Sequence, residues 1–222
     1  MRDADALERK QHNVEPTDTQ HSSPSTQHYS ITGDRVALGP IERETLPLFY
    51  RWFNDFDLLR TAGIGDGPWT MERVEAWCKR FESGPEEAWF MIYERETGQP
   101  IGSAGLRDID ERHGTGEYAI SIGEVSARGK GYGTEATSLM LDYAFTPRGL
   151  HSVLLDVAEY NPGGIGAYAK AGFKEIGRRH EADVMGGKRW DIVYMQALAS
   201  EFESPVLAAV FAPDVAKVRD AQ

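Results

Sequence analysis

A glycine-rich segment between a β-type stretch and an amphipathic stretch is the part of the chain best suited to bind a ligand. Three glycines alternate with other residues there, at Gly129, Gly131 and Gly133. Glycine allows the backbone to adopt positive φ and to approach a ligand closely. The helix predicted to follow adds N–H groups without partners and the positive end of its dipole. The segment is therefore predicted to bind an anion such as a pyrophosphate, and Arg128 and Lys130 add positive charge.

Two common phosphate-binding patterns do not match this segment. The pattern G-x-x-x-x-G-K-[ST] is absent, which disfavours an NTPase. The dinucleotide pattern G-x-G-x-x-G also fails, because Thr134 stands at the position of the last glycine when Gly129 and Gly131 are aligned. A tight glycine turn without a ligand remains the alternative interpretation of these residues.

The segment is predicted to lie between a strand and a helix. Residues 117–122 alternate in polarity and predict the strand. The helix is predicted by one apolar stripe, formed by Ala136, Leu139, Met140, Tyr143 and Ala144. A strand over 153–158 and a short helix over 164–171, which ends at Gly172, follow. Segments 173–179 and 190–198 then predict a hairpin around residues 185–188.

The N-terminal half predicts one strand, two helices and an antiparallel hairpin. The strand covers 35–41, and the first helix has apolar residues at spacings of three and four: Leu48, Phe49, Trp52, Phe53 and Phe56. After a loop at 62–68, Thr70 is predicted to cap a second helix. That helix buries Val74, Trp77, Cys78 and Phe81. Strands over 88–93 and 101–106 and a polar loop over 107–116 complete this half.

This order of elements predicts an α+β (mixed α/β) domain over residues 30–200. Residues 1–29 have almost no large apolar side chains, so a disordered tail is expected there. Residues 201–222 form a C-terminal extension. Its apolar residues Val206, Leu207, Val210 and Phe211 suit a short docked helix or a frayed end.

Composition narrows the class of protein. The formal net charge of −11 disfavours binding to nucleic acid and suits a cationic substrate, although solubility alone would also explain it. No apolar run is long enough to span a membrane, and the N-terminus has no secretory pattern, so a cytoplasmic protein is expected. Cys78 is the only cysteine and falls on a buried helix face. The histidines have no spacing typical of a metal site.

Arg128, Gly131 and Gly133 match the pattern [QR]-x-x-G-x-[GA], and with this match the chain resembles the GNAT superfamily of N-acetyltransferases. Asn161 and the segment 168–173 resemble the family's N…Y-x-K-x-G-F region. Residues 52–55 and the ending Asp191…Met195…Leu198 resemble the branch of ribosomal-protein N-terminal acetyltransferases. Where many members of that branch have Glu-Gly after G-F-x-x, this chain has Ile176-Gly177. The resemblance covers residues 33–199.

The resemblance implies a splayed, mostly antiparallel mixed sheet flanked by helices, with acetyl-CoA between the strands at 117–122 and 153–157. It implies no metal. The backbone at 120–122 would pair with the pantetheine arm, and the amides at 129–134 would hold the pyrophosphate. The residues implied to bind acetyl-CoA are Ile120, Ser121, Ile122, Arg128, Gly129, Lys130, Gly131, Tyr132, Gly133, Thr134, Asn161 and Lys170.

Transfer of an acetyl group to an amine requires a neutral amine, N–H donors for the oxyanion and a proton for the departing thiolate. Tyr168 stands at the position of the family's frequent general acid. Glu117 lies on the strand leading to the acetyl site and could deprotonate the amine through water. The backbone N–H near Ile122 is the candidate oxyanion donor. Packing of the tyrosine ring and a solvated carboxylate are the alternative roles of Tyr168 and Glu117.

The expected activity is direct transfer, in a ternary complex, from acetyl-CoA to a primary amine, with a protein N-terminus favoured as acceptor. A small cationic amine, of the aminoglycoside or polyamine type, is the alternative acceptor. A non-catalytic acyl-CoA-binding module is the alternative from another functional class. No nucleic-acid or membrane partner is expected, and a homodimer is possible. Trp52, Phe53 and Trp69 could line the acceptor pocket or lie in the core.

Overall fold

The computed structural model describes residues 28–62, 67–79 and 84–213 of this 222-residue chain. An eight-stranded mixed sheet with flanking helices is formed, which confirms the predicted fold class. The strands are β1 (Ile31–Thr32), β2 (Val36–Gly39), β3 (Ala88–Glu94), β4 (Pro100–Asp110), β5 (Thr115–Ile122), β6 (Ser152–Ala158), β7 (Lys174–Met185) and β8 (Lys188–Leu198). The helices are α1 (Leu46–Trp52), α2 (Phe56–Ala62), α3 (Met71–Lys79), α4 (Tyr132–Phe145), α5 (Pro162–Ala171) and α6 (Leu207–Val210).

The strand order is β1-β2-β3-β4-β5-β6-β8-β7, and only the β5–β6 pair is parallel. The two strands of this central pair are hydrogen-bonded over only part of their length. Its paired residues end at Glu117 and Leu154, although β5 continues to Ile122 and β6 to Ala158. The two strands therefore diverge and open a wedge in the middle of the sheet.

Two apolar cores cover the sheet. The larger one packs α4 against the strands and includes Leu38, Ile92, Leu106, Met140 and Val153. The smaller one belongs to α1–α3 and includes Phe49, Val74 and Met91. Adjacent residues Met91 and Ile92 of β3 enter different cores, because successive side chains of a strand point to opposite faces. Helices therefore lie on both faces of the sheet.

The aromatic residues considered for an acceptor pocket lie in the smaller core. Trp52, Phe53 and Trp69 are all at least nine-tenths buried, and the Phe53 and Trp69 rings are 4.8 Å apart. Cys78 is half-buried against the same core. Thr70 caps α3 as predicted, because its hydroxyl accepts the Arg73 N–H at 3.2 Å. Phe81, the last apolar residue predicted in that helix, lies outside the described residues.

The first predicted helix is wrong in its extent. It is two helices, α1 and α2, separated at residues 53–55, and Phe56 is 74% exposed rather than part of the buried stripe. Asp55 explains the break. Its side chain accepts the Asp57 N–H at 2.9 Å, and its carbonyl accepts the Leu59 N–H, so a new helix begins there.

The predicted polar loop over 107–116 is also wrong, because β4 extends to Asp110 and β5 begins at Thr115. Arg107 pairs across the strands with Glu117, and their opposite charges stabilise polar side chains within a sheet. The polar residues of this stretch are typical of a loop, but a cross-strand ion pair stabilises them as part of a strand.

The C-terminal extension contains the short helix α6, which buries Leu207 and leaves Val210 and Phe211 exposed. The expected disordered tail lies, except for residues 28 and 29, outside the described residues. Among the helices of the described ranges, none combines the length and apolar character that crossing a membrane would need.

Candidate active site

A cleft of about 600 Å³ lies beside the last residues of β5, beyond the point where β5 and β6 stop pairing. Four elements contribute its walls: α2, the end of β5, the loop before α4, and α5. Its lining includes Asp57, Leu58, Arg60, Thr61, Ile120, Ser121, Ile122, Ala127, Arg128, Gly129, Gly131, Gly133, Thr134, Asn161, Pro162, Gly163, Gly164, Gly166, Ala167, Tyr168 and Lys170. The diverging strands thus bring the glycine loop and the α5 segment, which are distant in sequence, to one cavity.

The glycine loop forms an N–H cradle at the start of α4. Gly129 and Gly131 have φ of 72° and 85°, a conformation that other residues rarely adopt. The first intrahelical bond runs from the Glu135 N–H to the Gly131 carbonyl, so the N–H groups of 132–134 precede the helical ladder. A Cβ at Gly129 would meet no atom within 4 Å. The backbone at this end of the cleft is therefore open to an anion.

Arg128 lies in the cleft wall but binds the protein's own backbone. Its guanidinium donates to the carbonyls of Ile122 and Gly123, at 3.0 and 3.1 Å, and lies 4.0 Å from the Asp55 carboxylate. These bonds connect the loop to the last residue of β5 and to the residue that follows it. Arg128 thus positions the cradle as well as adding charge to it.

Lys130 and Tyr132 point away from this cleft. Lys130 lines a separate recess of about 370 Å³, which also contains Glu94 and Glu124. The Tyr132 hydroxyl donates to the Glu94 carboxylate at 2.5 Å. Because both side chains lie outside the cleft, only the backbone groups of Lys130 and Tyr132 are available to a ligand there.

Asn161 and Lys170 lie at opposite ends of α5, and both line the cleft. The Asn161 side chain caps the helix, because its Oδ1 accepts the Gly164 N–H at 3.0 Å. Gly172 ends the helix with φ of 114°, as the sequence predicted. These two signals fix the length of α5 and the direction in which Tyr168 projects.

Tyr168 reaches the cleft from the middle of α5. Its ring lies at right angles to that of Tyr118, with centroids 6.2 Å apart, and 6.1 Å from that of Phe173. Within the described part of the chain its hydroxyl has no hydrogen-bond partner. Burial, with a smaller effect of the nearby Asp156 carboxylate, raises the pKa of Tyr168 to about 12. The phenol is therefore protonated at neutral pH and can donate a proton.

Glu117 stands where β5 and β6 separate, beside Arg107 and Asp156 rather than in the cleft wall itself. The Arg107 guanidinium lies 2.5 Å from the Glu117 carboxylate and 3.8 Å from that of Asp156. Burial raises the pKa of Glu117; Arg107 opposes the rise, and a hydrogen bond with the Asp156 carboxyl adds to it. The two carboxyls and one guanidinium form a cluster that can hold or release a proton.

Three parts of this site were missed by the sequence reasoning: Arg107, Asp156 and helix α2. The sequence did not indicate Arg107 because the polar residues 107–116 are typical of a loop. The sequence did not single out Asp156 because it is one polar residue in an otherwise apolar strand. Its alternation with Val153, Leu155 and Val157 nevertheless indicates that it lies on the face of β6 opposite to theirs. Asn54-Asp55 is a capping signal that could have revealed the start of α2.

Among the residues at 28–62, 67–79 and 84–213, no group of three or more His, Cys, Asp or Glu side chains could hold a metal ion. The site offers backbone N–H groups, one phenol and a carboxyl cluster, a set that suits an anionic ligand and the transfer of protons.

Residues 35–174 match the family described as an acetyltransferase (GNAT) domain. The chain belongs to the GNAT acetyltransferase family. GNAT acetyltransferases use acetyl-CoA as the donor of the acetyl group.

Relatives of this GNAT protein differ in the acceptor that their names state. The chain is 33% identical, over 102 residues, to spermidine N(1)-acetyltransferase of Vibrio cholerae, covering 46% of this chain and 58% of that protein. It is 27% identical, over 162 residues, to alpha/beta-tubulin-N-acetyltransferase 9 of Homo sapiens, covering 68% and 77%. The structure resembles that of the Vibrio cholerae spermidine acetyltransferase in complex with CoA and spermine. Their TM-score is 0.69 at 25% identity, and 75% of this chain and 97% of that chain are covered. The ribosomal-protein branch is not specifically indicated by these relatives.

Proposed function

We propose that this GNAT enzyme transfers an acetyl group from acetyl-CoA directly to the primary amine of a protein N-terminus. The observation that carries the proposal is the cleft itself, in which the N–H cradle of α4 and the phenol of Tyr168 line one continuous cavity. An elongated thioester laid along this cavity would have its phosphates at the cradle and its sulfur near Tyr168. The transfer then requires only that an amine enter the wedge.

The residues present fit acetyl-CoA. Positive φ at Gly129 and Gly131, and the empty space where a Cβ would stand at Gly129, leave room for phosphate oxygens at the free N–H groups. Beyond Glu117, β5 has an edge that β6 does not cover, so the backbone at 120–122 is available to an extended amide-containing arm. Asn161 and Lys170, at the two ends of α5, also line the cleft.

The carboxyl cluster provides the proton acceptor. Burial raises the pKa of Glu117, the neighbouring Asp156 carboxyl adds to the rise, and the carboxylate is thereby closer in basicity to an amine. An α-amine, with a pKa of ~8, loses its proton more readily than a lysine-type amine, with a pKa of ~10.4. A carboxyl cluster that acts through water is therefore better matched to a protein N-terminus.

Tyr168 provides the proton donor. Its phenol is protonated at neutral pH and can give its proton to the departing thiolate. The developing oxyanion would receive the backbone N–H near Ile122, at the open edge of β5. Counted from its ammonium form, the amine loses two protons: one to Glu117 before the attack and one to solvent water as the tetrahedral intermediate collapses. Tyr168 gives one proton to the thiolate, and exchange with water restores both side chains, so each turnover releases one proton.

A small cationic amine is the second candidate acceptor. It is favoured by the formal charge of −11 and by the relative and the structural neighbour that are named as spermidine acetyltransferases. The acidic pair Glu117 and Asp156 outnumbers Arg107 at the wedge, so an ammonium group would be attracted there.

Acetyl-CoA turnover with a panel of amines tests the proposal. The panel contains peptides with free N-terminal Ala, Ser or Met, their N-terminally blocked copies, spermidine, spermine and an aminoglycoside, and release of the CoA thiol is measured. We expect turnover with free-terminus peptides and none with the blocked copies. Turnover with spermidine alone would establish the second candidate, and CoA binding without turnover on any amine would contradict the enzymatic proposal.

A further inference from the structure

Two buried hydroxyl groups link β5 to the first turns of α4. The Tyr118 hydroxyl lies 2.9 Å from the Thr137 Oγ, and this Oγ lies 2.7 Å from the carbonyl oxygen of Gly133. Tyr118 is only 3% exposed, and Thr137 is inaccessible to solvent. A threonine hydroxyl has one hydrogen, which is donated here to the carbonyl, so Tyr118 donates its own hydrogen to Thr137. The three groups form a chain with one direction, which we call the hydroxyl chain.

The hydroxyl chain ends at a peptide unit that belongs to the cradle. The Gly133 carbonyl and the Thr134 N–H are parts of the same peptide unit. Thr134 lines the cleft, and its N–H precedes the helical ladder, whose first bond starts at Glu135. A hydrogen bond that a peptide carbonyl accepts polarises the unit and strengthens its N–H as a donor. The hydroxyl chain therefore makes the Thr134 N–H a better donor to an anion in the cleft.

The environment of Tyr118 separates the role of its hydroxyl from that of its ring. The ring lies 6.2 Å from the Tyr168 ring and stacks on Phe173 at 5.9 Å, whereas the hydroxyl meets only Thr137 among the described residues. Burial raises the pKa of Tyr118, so the hydroxyl stays protonated and remains a donor. Removing the hydroxyl alone therefore breaks the chain without removing the ring that packs beside Tyr168.

We propose that Tyr118 and Thr137 are positioning residues for acetyl-CoA, which orient and polarise the Gly133–Thr134 peptide so that its N–H binds the pyrophosphate. Neither residue lines the cleft, so both act through this peptide and not by touching the substrate. The inference rests on the part of the proposed function that lays the phosphates of acetyl-CoA at the cradle. It assigns to β5 a second contribution to substrate binding, made by a side chain on its core face.

The test breaks the hydroxyl chain at either of its two hydroxyls. Tyr118→Phe keeps the ring, Thr137→Val keeps the shape of the side chain, and Thr137→Ser keeps the hydroxyl. The matched control is Thr146→Val, which removes a hydroxyl from the residue that ends the same helix, where it donates to Asp142 at 2.9 Å. CoA affinity by calorimetry, Tm, and the amide proton shift of Thr134 in the CoA-free protein by NMR are measured for each variant.

Tyr118→Phe and Thr137→Val are each expected to weaken CoA binding about threefold, because a neighbouring bond strengthens a hydrogen bond by roughly 10–30% and the bond to phosphate is charge-assisted. In both variants the Thr134 amide proton should move upfield. The double variant should bind CoA no more weakly than either single one, because both changes break the same chain. Thr137→Ser should bind CoA as the wild type does. Thr146→Val should lose stability but keep its CoA affinity and its Thr134 shift.

Three results would overturn the inference. Unchanged CoA affinity in Tyr118→Phe or in Thr137→Val would show that the hydroxyl chain does not act on the cradle. Equal weakening in Thr146→Val would show that only a general loss of stability is measured, and additive effects in the double variant would show that the two hydroxyls act separately. Gly131→Val, which places a branched side chain at the cradle, distinguishes failure of the proposed function: CoA would then bind this variant as well as the wild type, because its phosphates lie elsewhere.

Discussion

The carboxylate of Asp142 in α4 accepts the backbone N–H of Leu207, the first residue of α6, at 2.8 Å. Asp142 is completely buried and also accepts the Val206 N–H and the hydroxyls of Ser204 and Thr146. One side chain thus caps α6 and fastens the C-terminal extension to the helix whose other end forms the N–H cradle.

Asp142→Ala should destabilise the protein by about 2–4 kcal/mol, because buried N–H and hydroxyl groups lose their acceptor and each costs about 1–3 kcal/mol. Urea unfolding measures the change. Glu203→Ala, which removes an exposed carboxylate on the same segment, is the control and should change stability by less than about 0.5 kcal/mol. An equally small effect of Asp142→Ala would show that the extension does not depend on this carboxylate.

Gly131→Val should weaken CoA binding at least ~tenfold, because a branched side chain would stand at the cradle and disfavour its positive φ. Calorimetric titration with CoA measures the affinity. Gly149→Val is the matched control, because Gly149 also has positive φ, at 62°. A Cβ added at Gly149 would meet no atom within 4 Å, and this residue does not line the cleft. If both variants bind CoA equally well, the phosphates lie elsewhere.

Tyr168→Phe should lower kcat by about 10²-fold, the lower part of the range for general acid catalysis, because a thiolate is already a fair leaving group. The ring and its contacts with Tyr118 and Phe173 remain, so Tm and CoA affinity should be close to those of the wild type. Tyr143→Phe, which changes a half-buried tyrosine packed on Phe90, serves as the control. If Tyr168→Phe keeps the kcat of the wild type, Tyr168 is not the general acid and its role is packing.

Asp156→Asn should move the acidic limb of the kcat–pH profile to lower pH. The Asp156 carboxyl contributes to the raised pKa of Glu117, so its neutralisation lets Glu117 lose its proton at lower pH. Glu117→Gln should lower kcat and remove this limb. The profiles are measured with one acceptor at saturation, so that the pKa of the amine is common to all variants. Glu111→Gln, at an exposed carboxylate, should leave the profile unchanged. An unmoved limb in Asp156→Asn would show that the Asp156 carboxyl does not raise the pKa of Glu117.

Local patterns predicted much of the scaffold. The apolar stripe of α4, the Gly172 terminus of α5 and the Thr70 cap of α3 are signals within one or two turns of backbone, and each element formed where its signal lies. The β3–β4 and β7–β8 hairpins were predicted for the same reason. Errors arose where a distant partner changes the outcome, as at Arg107, whose strand is stabilised by Glu117 across the sheet.

By itself the sequence determined the N–H cradle, because three alternating glycines before an amphipathic helix define a local backbone conformation. It also supplied Tyr168 and Glu117 as candidates. Only the tertiary structure decided that β5 and β6 part after Glu117 and Leu154, that α2 closes the cleft, and that Asp156 meets Arg107 and Glu117. The divergence of β5 and β6 and the clustering of these three charged side chains depend on how distant elements pack on both faces of the sheet. The residue pattern within a single segment does not indicate them.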